Sequence, residues 1–172
     1  MKKIKFLILL LLPFFLFSQE VRDVPIIDFA SGNYPVEEKV KILYDKDWKP
    51  VTKLDLADFY RIVNFKDKNI PKGKITDYYK NGIKQNSFFA SYIGLSSKKL
   101  DSVVINGLNI RFDANGNKSI YCVYMDNILQ GEYIIYYKTG RVNFKYNYED
   151  GILQGEAISN YETGEVKQRF NY

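Results

Sequence analysis

Glycine recurs in this chain at fixed intervals. Gly107, Gly131 and Gly155 stand 24 residues apart, and each is followed nine residues later by another glycine: Gly116, Gly140 and Gly164. Gly73 and Gly82 keep the nine-residue interval. The segments leading into the first glycine also agree: Asn127-Ile-Leu-Gln-Gly131, Gly151-Ile-Leu-Gln-Gly155 and, more loosely, Asn69-Ile-Pro-Lys-Gly73. A chain punctuated in this way is expected to stack like units side by side, rather than to close into a globule around a cleft.

Within a unit the pattern reads as a hairpin. A first strand is expected from the residue after the leading glycine to about six residues on. The turn is Tyr-Lys-Asn-Gly82, Asp-Ala-Asn-Gly116, Tyr-Lys-Thr-Gly140 or Tyr-Glu-Thr-Gly164. Glycine closes such a turn because it takes positive φ without a steric penalty. In the second strand Val142, Phe144, Tyr146 and Tyr148 alternate with Asn143, Lys145 and Asn147; later, Val166, Phe170 and Tyr172 alternate with Lys167, Arg169 and Asn171. Period-two alternation means a half-buried strand. Asp126-Asn127 and Asp150-Gly151 then turn the chain into the next unit, and tight turns permit only antiparallel neighbours. The fold class is therefore all-β: an antiparallel meander of stacked hairpins in one elongated sheet. The unit from Gly73 carries ten extra residues before Gly107, around residues 94–101, read as a surface loop or single helical turn at 96–100.

Residues 41–66 read as a degenerate capping unit. A strand is expected at 41–44, a turn through Trp48 to Pro50, a short helix over 53–59 started by Thr52 and Asp55, and a strand at 60–65. Trp48, the only tryptophan, is read as a residue of the cap core, with a ligand platform as the alternative. Residues 19–40, with Pro25 and Pro35, form an arm. Before it, Lys2, Lys3 and Lys5 precede an apolar run over 6–17 and then Ser18. This is the pattern of a signal peptide over 1–18, too short to span a bilayer. Export to the periplasm, the outer membrane or the exterior follows as the expectation, and no cysteine after the run suggests a lipid anchor.

The 15 tyrosines and 12 phenylalanines supply nearly all the aromatic content, as suits pleated surfaces. Without the first 18 residues, 22 basic face 20 acidic side chains. That balance lacks the basic stripe of a nucleic-acid binder.

The stretches Tyr78-Tyr-Lys-Asn-Gly82 and Gly131-Glu-Tyr-Ile-Ile-Tyr-Tyr-Lys-Thr-Gly140 resemble MORN-type repeats, more closely the bacterial variant catalogued as antitoxin-like. The resemblance covers about residues 73–172 and extends weakly to 41. Asn109, Arg111 and Asp113 depart from it, standing where aromatic and tyrosine positions are usual. It specifies an architecture more than a task. A toxin-neutralising role in the cytoplasm fits poorly with export, whereas an immunity protein outside the inner membrane is compatible.

No catalytic constellation is recognisable. The chain has no histidine, the commonest general base and metal ligand, and no nucleophile elbow or phosphate-cradling loop, so neither cofactor nor metal is expected. Cys122 shares a unit position with Tyr146 and Phe170 and is read as a buried structural thiol rather than a nucleophile. Glu149-Asp150 and Asp45 with Asp47 are read as turn formers.

The tyrosines carry more information. Tyr78 and Tyr136 share one unit position; Tyr79, Tyr137 and Tyr161 share the next, on the opposite face. One set is expected in the core and the other partly open, where aromatic rings either stack on ligands or pair across strands. Two functions follow as expectations. The first is a protein-interaction scaffold of the envelope, using the uncovered last strand with Val166, Gln168 and Phe170. The second is a polysaccharide or lipid-headgroup surface using Tyr137 and Tyr161 beside Lys138, Arg141 and Lys145. N-terminal mapping of exported protein should find Gln19 as its first residue; an intact Met1 would refute the signal-peptide reading.

Overall fold

The computed structural model describes residues 24–27, 38–94 and 102–172. The signal-peptide run, most of the arm and the segment 96–100 lie outside the described residues. Thirteen strands are described: β1 (Lys39–Tyr44), β2 (Pro50–Val51), β3 (Phe59–Asp67), β4 (Ile70–Pro71), β5 (Ile75–Tyr79), β6 (Lys84–Gly94), β7 (Ser102–Phe112), β8 (Lys118–Met125), β9 (Ile128–Tyr136), β10 (Val142–Glu149), β11 (Ile152–Leu153), β12 (Glu156–Asn160) and β13 (Val166–Asn171). They form one open sheet in the order β13-β12-β10-β9-β8-β7-β6-β5-β3-β1-β2, with β11 on β10 and β4 on β3. Every strand pair is antiparallel, as the tight turns require; Ile26 adds an isolated parallel bridge to Lys41.

The unit repeats in backbone detail. The peptide N–H of Tyr79 donates to Ile83, Asp113 to Asn117, Tyr137 to Arg141 and Tyr161 to Glu165, while each turn glycine donates back to the first of these residues. Three residues after each turn glycine a bulge interrupts the pairing, at Gln85, Ser119, Asn143 and Lys167. The first turn of the array has the same bonds: Asp45 N–H donates to Lys49, and Trp48 N–H donates to Asp45. Trp48 thus occupies the glycine position of the motif, with φ of +59°.

The leading glycines do something other than open a strand. Gly107 and Gly131 lie inside β7 and β9, which begin before them, at points where three residues oppose one on the neighbouring strand. Gly73 and Gly155 fall between the short β4 and β5 and between β11 and β12. All four have positive φ, so each marks a kink where one strand passes from one pairing to the next.

The bulges also correct the alternation. Phe144, Tyr146 and Tyr148 share a face, but the bulge at Asn143 sends Val142 to the other side, where it pairs with Tyr136. The bulge at Lys167 does the same to Val166, which pairs with Asn160 while Phe170 pairs with Ala157. A one-residue insertion inverts the facing of everything beyond it.

The expected helix over 53–59 is a single 3-10 turn at Leu54–Leu56. Lys53, not Thr52, occupies the cap position and makes no side-chain cap bond. Leu54 and Leu56 are each 57% exposed, so no buried face supports further turns, and Phe59 joins β3.

One ladder crosses the whole sheet: Ile42, Arg61, Asp77, Asn86, Arg111, Ile120, Ile135, Phe144, Ser159 and Gln168 are successive cross-strand partners. On this inner face the β1 end is covered. The outer part of the β6–β7 hairpin, where the extra residues enter, places Ile93 in one buried cluster with Val40, Ile42, Val63, Phe65, Ile75 and Phe88, and Val103 and Ile105 pack against it. Bulges on either side of Ala90 bend the hairpin, and Ile93 N–H donates to Asn69 O at 2.9 Å. The end of β6 and the start of β7 are therefore a second layer over the first strands. On the opposite face Tyr60 stacks on Tyr78 at 4.9 Å over Leu43 and Ala57. Burial, with Tyr78 beside it, pushes the Tyr60 phenol up to about 12.

Gly131 has φ of +68° and open space where a Cβ would sit, so its replacement tests conformation alone. Gly131→Ala should cost about 1–2 kcal/mol, and Gly131→Asn less, in urea unfolding midpoints at unchanged slope.

Candidate functional site

Two regions hold the side chains of interest: the β13 end of the sheet and a cleft beneath the β6–β7 hairpin. At the β13 end, several residues expected to form a surface are engaged within the array. The Tyr137 hydroxyl donates to Asn160 O at 2.8 Å, and Arg141 Nη1 donates to Glu162 O and Thr163 O, both at 2.9 Å. Each clasps the turn of the following unit. Lys145 pairs with Glu132 across β9 and β10. Tyr161, one unit on from Tyr137, is 51% exposed, with Lys167 Nζ 5.7 Å from its ring centre. Val166 and Phe170 are exposed on opposite faces, as their pairing requires.

Among the described residues nothing pairs with the outer edge of β13. Gly155 and Tyr172 exchange both backbone bonds, at 3.1 and 3.0 Å. Antiparallel alternation then turns the N–H and C=O of Phe170 and Gln168 inward to β12, and those of Asn171 and Arg169 outward. Gln168, expected to offer backbone to a partner, instead faces its own sheet. Arg169 and Asn171, passed over in the sequence because side-chain patterning says nothing about peptide direction, carry the open groups. Arg169 also pairs with Glu156 at 2.7 Å.

The cleft was not anticipated by a simple array. It has a volume of about 480 Å³. Its floor is the polar part of the cross-sheet ladder, Arg61, Asp77, Asn86 and Arg111; Tyr44, Trp48 and Tyr79 form one wall, and Val103 of the overlying hairpin closes another side. Arg61 and Asp77 are both almost fully buried, with Nε to Oδ1 at 2.7 Å and Nη2 to Oδ2 at 3.0 Å. The guanidinium lies 5.3 Å from the Tyr44 ring centre, 5.8 Å from Trp48 and 5.2 Å from Phe88. A bidentate geometry with aromatic faces around the cation holds this pair in one arrangement. Trp48 stacks on Phe59 at 4.7 Å, and Phe59 meets Tyr79 at 6.0 Å. Trp48 therefore packs against the core cluster and also lines the cleft. Arg111 is exposed and makes no side-chain hydrogen bond or ion pair with any described residue.

Beyond the cleft, Tyr133 meets Tyr146 and Tyr148 edge-on at 6.4 and 5.9 Å, and Phe144 stacks on Tyr146. Cys122 is buried beneath this row as a free thiol, pushed up by burial, which opposes nucleophilic use. The turn carboxylates serve the backbone. Asp45 Oδ1 accepts from the N–H groups of Asp47 and Lys49, and Asp150 Oδ1 from Gln130 Nε2 at 2.6 Å. Asp113, at the position where other units have tyrosine, accepts from Asn117 and Asn115, and the Asn117 backbone bond holds its carboxyl low.

Asp77→Asn should cost about 3–5 kcal/mol, because it leaves the Arg61 charge buried without its counterion. The double change Arg61→Met with Asp77→Leu should restore most of that loss. Chemical denaturation of the three proteins decides; equal losses in the single and double variants would contradict it. Comparison with known proteins adds no relative to this geometry: no family model, no curated protein and no solved structure matches the chain.

Proposed function

We propose that this protein is an exported, non-enzymatic repeat scaffold that takes up an extended segment of a partner protein along β13, in the cell envelope. The observation that carries the reading is the asymmetry of the two ends. At the β1 end, β2 pairs with Leu43 and Tyr44, and the Val24–Ile27 stretch lies along β1 through bonds of 2.8 and 3.1 Å involving Lys41. Pro25 and Pro50 stand in these covering segments, and proline is a residue that sheets use to end pairing. At the other end, β13 presents the open peptide groups of Arg169 and Asn171, flanked by exposed Val166, Phe170 and Tyr172. An added strand would gain backbone bonds along this edge and apolar contacts on both faces. The resemblance to MORN-type repeats and the signal-peptide pattern support the same reading.

The edge selects its partner by charge. Lys167 and Arg169 lie on β13 without an acidic residue between Val166 and Asn171. Two copies pairing antiparallel about Gln168 or Arg169 would set Lys167 against Arg169, or Arg169 against itself, and like charges directly opposite are unfavourable. An acidic extended segment is the better match. Arg169→Pro, with Arg169→Ala as the control for the lost charge, is the direct test. Pull-down from envelope extract should recover a partner with the wild type and, in reduced amount, with the alanine variant, and lose it with proline, while far-UV circular dichroism stays unchanged. Equal recovery by the proline variant would remove the edge from consideration, and concentration-dependent self-association would point to a second copy instead.

A further inference from the structure

We infer that the cleft beneath the β6–β7 hairpin is a binding site for an acidic sugar unit, one carrying a single carboxylate. The inference begins with Trp48. Four later turns of the same bonding pattern place glycine at this position, with φ between +82° and +97°. Here a tryptophan adopts φ of +59°. A bulky side chain in the left-handed region is unfavourable, and such outliers cluster at ligand-binding and catalytic sites. The stack on Phe59 supplies a structural support for the ring, and the unusual backbone sets that ring in the wall of the cleft next to Arg61.

The composition of the cleft then narrows the ligand. Its volume of about 480 Å³ lies within the usual range of small-molecule sites, roughly 300–1,000 Å³. A pyranose ring has an apolar C–H face and a rim of hydroxyls. Trp48 and Tyr79 offer aromatic surface for the first; Gln85, Asn86 and Ser119 offer paired donors and acceptors for the second. The charged side chains of the lining are Arg61, Arg111 and Asp77, a sum of one positive charge. Asp77 already engages Arg61 through both its oxygens, whereas the charge of Arg111 meets only the neutral groups of Cys122, Tyr124 and Tyr133 and is balanced by no carboxylate among the described residues. One carboxylate on the sugar would meet the Arg111 guanidinium in a two-point contact and neutralise the site. A phosphate dianion would leave excess negative charge beside Asp77, so a uronate fits better than a nucleotide or sugar phosphate.

Trp48 is the chain's only tryptophan, so its emission reports on the cleft directly. Titrating the purified protein with galacturonate, the monosaccharide, should give a saturable change in that emission, whereas neutral galactose should bind about tenfold or more weakly. Arg111→Gln, a change at an exposed side chain, should weaken galacturonate binding about tenfold and leave the neutral sugar unaffected. Trp48→Gly, which puts at this turn the residue its counterparts use, should abolish binding in calorimetric titration with the turn retained. The proposal is overturned by absence of both an emission change and calorimetric heat up to about 10 mM galacturonate. It is equally overturned if folded Arg111→Gln protein binds galacturonate as tightly as the wild type. Because Arg111 and Trp48 are remote from β13 in strand order, loss of edge-strand capture and loss of sugar binding can be told apart.

Discussion

Left-handed backbone at set intervals is the constraint on which the sheet depends. A wide sheet whose later strands lack a second layer has little core to hold its register. Register here is pinned locally instead. Each unit from Gly73 onward has a turn residue at positive φ, a bulge three residues later and a kink glycine between pairings. These features add twist and make a one-residue slip costly, because a slip would put side chains in backbone positions they resist. The hinge turns reinforce this: Asp126-Asn127 and Asp150-Gly151 both have positive φ at their two central residues, the conformation that matches strand twist.

Side-chain bonds repeat on the same lattice. Asn106 Nδ2 reaches Asp126 Oδ1 at 2.9 Å, as Gln130 Nε2 reaches Asp150, and the peptide N–H groups of Asn127 and Gly151 bond the carbonyls of Ile105 and Leu129. Each unit is thus tied to its predecessor by contacts that only a successor unit supplies. This is the one-dimensional logic of repeat proteins, in which neighbouring interfaces supply much of the stability. It also explains why Tyr137 and Tyr161, identical in sequence position, differ: the first has Asn160 to accept its proton, and the second stands at the exposed end.

The two halves of the sheet differ in kind. Around β1, β3 and β5 the folded-over hairpin makes a two-layer core and encloses a buried Arg61–Asp77 pair. From β8 onward the inner face has a half-buried aromatic row with only small side chains buried beside it, Cys122, Ala157 and Ser159. The length of β6 and β7, with the bulges on either side of Ala90, accounts for the contrast, since it lets this hairpin double back. A strictly regular array would have no such cleft; here it lies under the lengthened β6–β7 hairpin and beside the irregular first turn.

The all-β class, the antiparallel order and the unit length were legible in the residues, because glycine spacing and period-two alternation are local properties of the chain. So were the roles of Asp45 and Asp150 as turn formers and the burial of Cys122. The facing of Val142 and Val166, the kinks at Gly107 and Gly131 and the outward peptide groups of Arg169 and Asn171 were not, since each depends on where a neighbouring strand opposes one residue with two or three. The shortened helix failed for a related reason: Thr52 and Asp55 suggest a start, but no packing surface awaited Leu54 and Leu56. Local patterning determined that this chain is a meander of hairpins. Only the tertiary structure decided that Trp48, Arg61, Asp77 and Arg111, drawn from four separated stretches, meet in one cleft, because their convergence follows from cross-strand register and from the fold-back of a hairpin, and neither is written in any single segment.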